Sequence, residues 1–75
     1  MSDVVLIDVQ GLRCPLPVLK TAKRMSALPA GARVLVRATD PLAAIDVPHF
    51  CTENGHRLLR QRQDGHVTEF EIEKG

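Results

Sequence analysis

Seventy-five residues suffice for one two-layer core but not for a deep, enclosed substrate pocket, because a chain of this size buries only about 60% of its unfolded surface. Ten lysines and arginines stand against nine aspartates and glutamates, a formal net charge of +1, which leaves no global field for a nucleic acid or an anionic membrane. Two cysteines are too few for a disulfide scaffold, and their spacing matches neither a CxxC redox motif nor a zinc site, so both are read as reduced thiols.

The start, Met1-Ser2-Asp3 before Val4-Val5-Leu6-Ile7, lacks the basic and long apolar regions of a secretory signal, and no apolar run reaches membrane-spanning length. The expectation is a cytoplasmic protein with a single domain over residues 1–75. Residues 4–9 are apolar and β-branched and stop at Gln10-Gly11, which predicts a short strand delivering the chain to Cys14-Pro15-Leu16-Pro17. Pro15 suits the first position of a helix, where its missing N–H costs nothing. Cys14 is then predicted as the N-cap, facing the first-turn amides and the positive end of the helix dipole, an arrangement that favours thiolate. Pro17 disfavours the helical region at Leu16, so the first turn is expected to be distorted or to begin a residue or two late.

A helix over about 15–28 follows, with Val18, Leu19, Ala22 and Met25 at near-helical spacing and Lys20, Lys23 and Arg24 on other faces. Pro29-Ala30-Gly31 ends it. Alternation over 33–39, with Val34 and Val36 to one side, predicts a second strand. Thr39-Asp40-Pro41 is a turn signal, with Asp40 expected as turn former or helix cap. Leu42 to Ile45 read as a helical turn that Pro48 interrupts or restarts, and Asp46 is expected to cap a short helix over 47–53, closed by Asn54-Gly55. Leu58 and Leu59, then Val67, Phe70 and Ile72, flank Asp64-Gly65 as a hairpin. The order β-α-β-α-β-β implies an α/β (α+β) two-layer sandwich, a mixed four-stranded sheet with two helices on one face.

Gly11-Leu12-Arg13-Cys14-Pro15-Leu16-Pro17, Thr39-Asp40-Pro41, Asp46-Val47-Pro48-His49-Phe50-Cys51 and Gly55-His56 together resemble the TusA/SirA-like family of small sulfur carriers over nearly the whole chain. The resemblance implies that Cys14 carries sulfane sulfur as a persulfide, with no metal and no organic cofactor. It implies a cysteine desulfurase or rhodanese-like donor and a downstream acceptor protein in tRNA thiolation, sulfur oxidation or cofactor assembly. The chain would then act as a persulfide-carrying co-substrate, a monomer in transient complexes without membrane or direct nucleic-acid contact.

Arg13 beside the thiol is a candidate for favouring the anion or guiding an acidic partner, Pro15 and Pro17 for fixing the turn, and Asp40 for supporting the site. Lys20, Lys23 and Arg24 are candidates for a docking patch. Cys51 is expected to be core packing. His49, His56 and His66 lack the paired spacing of a zinc site. The competing reading, a nucleic-acid-binding or regulatory module with a structural Cys14, draws on Arg57, Arg60 and Arg62 along one predicted strand, and is opposed by the near-zero net charge and the absence of Trp and Tyr.

Overall fold

The computed structural model describes residues 3–75; Met1 and Ser2, which entered the reading of the N-terminus, lie outside the described residues. Six elements follow in the predicted order: β1 (Val4–Asp8), α1 (Leu16–Ser26), β2 (Arg33–Ala38), α2 (Ala43–Asn54), β3 (Arg57–Asp64) and β4 (Val67–Glu73). The strands form one mixed sheet in the order β1-β2-β4-β3. β1 pairs parallel to β2, whereas β4 is antiparallel to both β2 and β3. The last strand therefore lies between the two strands that α2 connects. Both helices cover one face of this sheet, as expected.

Alternation assigns that face. Ile7, Val34, Val36, Ala38, Phe70 and Ile72 are buried from the sheet side, and Met25, Ala43, Val47, Phe50 and Cys51 close the core from the helices. On α1 the buried stripe is Pro17, Thr21 and Met25, with Val18 and Ala22 partly covered. Leu19, read from sequence as part of the apolar face, is instead 57% exposed. Spacing alone does not fix the rotation of a helix about its axis: Met25 is buried as chosen, whereas Pro17 and Thr21 point inward more fully than Val18 and Ala22.

The second helix differs more from expectation. It runs unbroken through Pro48, and Asp46 sits inside its first turn; the N-cap is Leu42. An interior proline costs about 3 kcal/mol through its lost hydrogen bond and its steric clash. Burial of a side chain such as Val or Phe returns about 1.5–3 kcal/mol each, and Val47, Phe50 and Cys51, around and beyond the proline, share with Ala43 a stripe at i, i+4, i+7 and i+8 against the sheet. Burial wins, so the helix continues. It ends as predicted at Gly55, whose φ of 73° is the left-handed region that glycine adopts without steric penalty.

The opposite face of the sheet is uncovered and carries a charge ladder. Glu69, Glu71 and Glu73 on β4 lie between Arg33 and Arg37 on β2 and Arg57, Arg60 and Arg62 on β3. Arg37 reaches Glu69 at 3.1 Å, Arg62 reaches Glu69 at 3.2 Å, Arg33 reaches Glu71 at 3.7 Å and Arg57 reaches Glu73 at 4.0 Å. A register shift between Leu58 and Arg60 makes this possible. Leu58 packs on the core, and without the extra residue Arg60 and Arg62 would point into it too.

Phe70, fully buried on the central strand β4, is the largest side chain enclosed by the core. Phe70→Ala is expected to cost about 3–5 kcal/mol, a large share of what a domain of this size possesses. Equilibrium urea unfolding will register it as a steep fall in midpoint.

Candidate functional site

The segment between β1 and α1 carries Cys14. Val9 N–H bonds to Arg37 O at 2.9 Å, holding the chain beside β2, and Leu12 N–H turns back to Val9 O at 3.3 Å. Gly11 sits at φ 80°, a conformation that supports the sharp approach read from sequence. Its N–H donates to Thr39 Oγ1 at 2.9 Å. The Cys14-Pro15 peptide bond is cis.

Cys14 is not the N-cap of α1. Pro15 holds that position, Leu16 opens the helix and Pro17 is its buried second residue, so the helix starts late, in the sense that the pre-proline constraint implied. This change redirects the thiol. Leu16 N–H is already taken by Arg13 O at 2.8 Å, and Pro15 and Pro17 have no N–H to offer. With most of the first-turn amides lost, the sulfur finds its partner on the other helix. Cys14 Sγ donates to Asp46 Oδ2 at 2.8 Å.

A second carboxylate fixes the backbone. Cys14 N–H donates to Asp40 Oδ2 at 2.6 Å, while Asp40 Oδ1 accepts Leu42 N–H at 3.1 Å. Asp40 is thus both the local former of the α2 start, as expected, and the bridge that ties the Cys14 loop to it. The electrostatic consequence reverses the sequence expectation of a favoured thiolate. The hydrogen bond to Asp46 raises the Cys14 thiol above its ordinary value, loss of hydration adds to this, and the charges of Asp46 and Asp40 act in the same direction. A carboxylate 2.8 Å from sulfur welcomes the thiol proton and opposes a second negative charge.

The sulfur stands where two open clefts meet. One, of about 500 Å³, is lined by Gly11, Leu12, Arg13, Thr39, Asp40 and Leu42. The other, of about 330 Å³, is lined by Pro15, Val18, Asp46, His49, Phe50 and Glu53. Cys14 borders both and is exposed. Arg13 and Pro15 therefore share the site with Cys14, and Pro17 underpins it from the core. Lys20, Lys23 and Arg24 lie exposed along α1, and Lys23 and Arg24 occupy its last turn. That places them on the order of 15 Å along the axis from the thiol, where they suit the negative end of the dipole.

Cys51 is buried, and burial raises its thiol. Among the described residues no group of three His, Cys, Asp or Glu is placed to hold a metal ion, and His49 pairs with Glu53 instead. No described helix is long and apolar enough to cross a membrane. The arginines of β3 face the glutamates of β4, so the stripe that favoured a nucleic-acid surface is interleaved with an equal run of negative charge. The site partners that sequence reading missed are Asp46, assigned only to capping, and Thr39. The Asp46-to-Pro48 run was the available signal, but nothing local indicated that it would face Cys14.

Two outcomes follow from these contacts. Iodoacetamide alkylation of Cys14, which consumes thiolate, should rise with pH about a midpoint above the ordinary thiol value; Asp46→Asn should move the profile to lower pH and speed the reaction at neutrality. Asp40→Ala removes the acceptor of two backbone N–H groups and should cost about 1–2 kcal/mol, with faster amide exchange at Cys14 and Leu42.

Comparison with known proteins agrees with this fold. The family model described as sulfurtransferase TusA matches residues 5–74. YrkI of Bacillus subtilis strain 168, whose name places it among the sulfur carriers, is 42% identical over 74 residues, covering 99% of this chain and 97% of that protein. The sulfur carrier protein TusA of Pseudomonas putida strain GB-1 is 42% identical over 72 residues, covering 96% and 89% of the two chains. The crystal structure of a SirA-like protein from Desulfitobacterium hafniense superposes with a TM-score of 0.82 at 26% identity, covering 95% of this chain and 97% of that one. With a shared fold and a match over nearly all its length, the chain belongs to the TusA family of sulfurtransferases.

Proposed function

We propose that this protein accepts sulfane sulfur as a persulfide on Cys14 and relays it to an acceptor protein. The observation that carries the reading is the placement of the thiol: Cys14 is exposed between two open clefts at the helical end of the sheet, while Cys51 is sealed in the core. Membership of a sulfur carrier family supports donor and acceptor proteins as the partners. In the loading step, Cys14 sulfur attacks the outer sulfur of a donor cysteine persulfide on a cysteine desulfurase or rhodanese-like enzyme. The donor S–S bond breaks, and the donor cysteine leaves as thiolate. In unloading, an acceptor cysteine attacks the outer sulfur of the Cys14 persulfide and Cys14 is regenerated.

A reacting atom on an open surface suits this exchange, because the partner's own cysteine must reach it. The clefts at Cys14 are open rather than deep among the described residues, so the second half of each reaction centre comes from the partner, and the protein is consumed and restored within a cycle as a co-substrate. Intact-mass measurement after incubation with a cysteine desulfurase and cysteine tests the proposal. Wild type and Cys51→Ser should each gain one sulfur, and Cys14→Ser none. Equal loading of Cys14→Ser would remove Cys14 from the role.

A further inference from the structure

The two carboxylates at Cys14 differ from the glutamates of the open sheet face. On the open sheet face Glu69, Glu71 and Glu73 each have an arginine alongside. Among the described residues, Asp40 and Asp46 form no ion pair. Their acceptor atoms instead take the Cys14 thiol, the Cys14 N–H and the Leu42 N–H. Other charged groups near the sulfur are Arg13, from its own loop, and His49 and Glu53, which pair with each other on α2.

Exposed apolar side chains stand beside this pair at the helix starts. Leu16 and Leu19 at the start of α1 are 50% and 57% exposed, and Leu42 and Ile45 at the start of α2 are 52% and 68% exposed. Four large apolar side chains at the ends of the helices that hold Cys14 and Asp46 are more than a solvated surface needs at one spot. An apolar rim with two unneutralised carboxylates at its centre is complementary to an apolar surface with a central cation.

We infer that Asp46 is a positioning residue that holds the Cys14 sulfur hydrogen-bonded in the free protein. A partner protein releases that sulfur by seating a lysine or arginine, carried beside its own cysteine, against the Asp46 carboxylate across the rim of Leu16, Leu19, Leu42 and Ile45. This inference deepens the carrier reading and rests on it. A docked cation cancels the charge that opposes thiolate formation, and the covering surface strengthens that interaction by excluding water.

Both exchanges then balance without an external oxidant or reductant. On loading, the Sγ–S bond forms as the donor S–S bond breaks, and the proton leaving Cys14 ends on the donor cysteine. On unloading, the acceptor sulfur bonds to the outer sulfur, the Sγ–S pair of electrons returns to Cys14, and Sγ takes up the proton given up by the acceptor thiol. The regenerated thiol again donates to Asp46. In the free protein the same carboxylate slows reaction with stray electrophiles and oxidants, whose attack also consumes thiolate.

Small charged reagents test the cation requirement. Rates of modification at Cys14, followed by peptide mapping, are measured with a methanethiosulfonate bearing an ethylammonium group and with one bearing an ethylsulfonate, each normalised to a cysteine peptide. The cationic reagent should be favoured about tenfold in wild type, and Asp46→Asn should remove most of that preference. Equal preference in both proteins overturns the inference.

In a second arm, Cys14 charged with polysulfide is discharged by cysteamine or by 2-mercaptoethanesulfonate, with cysteamine expected to be faster only when Asp46 is present. Loaded protein that discharges without regard to thiol charge overturns the inference alone. A Cys14 that cannot be loaded overturns the carrier reading, while the first arm still reads Asp46. For the rim, Ile45→Lys should raise the KM for loading by a cysteine desulfurase about tenfold, more than it lowers kcat; an unchanged KM overturns the docking half.

Discussion

The arrangement depends on a pair of carboxylates that fasten one loop to one helix. Asp40 holds the Cys14 N–H and the Leu42 N–H at the same time, and Asp46, one helical turn further on, receives the Cys14 thiol. Through these bonds the connection from β1 to α1 and the connection from β2 to α2 become one surface. Hydrogen bonds to charged acceptors are shorter and stronger than neutral ones, and together with Val9 and Leu12 packed on the core they give the loop a defined shape. The position of the sulfur, its protonation and the two clefts beside it all follow from that attachment.

A sheet covered on one side only has to resolve two different problems with one set of strands. Towards the helices, Val34, Val36, Phe70 and Ile72 are sealed from water and supply the apolar contact that offsets chain entropy. Towards solvent, the same strands present alternating columns of arginine and glutamate. Exposed pairs of this kind contribute little stability individually. Their effect is on recognition: glutamates set between the arginines break up what would otherwise be a continuous basic stripe.

The chemistry of the site is one of restraint. A thiol next to an anion is a weak nucleophile in the free state, yet the same geometry is responsive, because the dominant influence on the sulfur is a single accessible carboxylate. An exposed thiol meets electrophiles and oxidants, which consume thiolate, and a resting state that favours thiol over thiolate limits its reaction with them.

Much of this was legible in the chain itself. Periodicity and breakers determined the six elements and their order, since alternation at Val34 and Val36, the Asn54-Gly55 stop and the hairpin near Gly65 are local signals with local causes. The CPxP run determined which atom to watch. What only the tertiary structure decided are matters of which distant groups meet. Burial of Val47, Phe50 and Cys51 carried α2 through Pro48, where local rules placed a break. A single extra residue near Leu59 turned Arg60 and Arg62 outwards to face glutamates. Most of all, the charge state of Cys14 was set not by the helix that follows it but by Asp46, 32 residues away. A pattern along the chain reports each segment's own preferences; the electrostatic environment of one sulfur is the sum over neighbours in space, and folding alone supplies those.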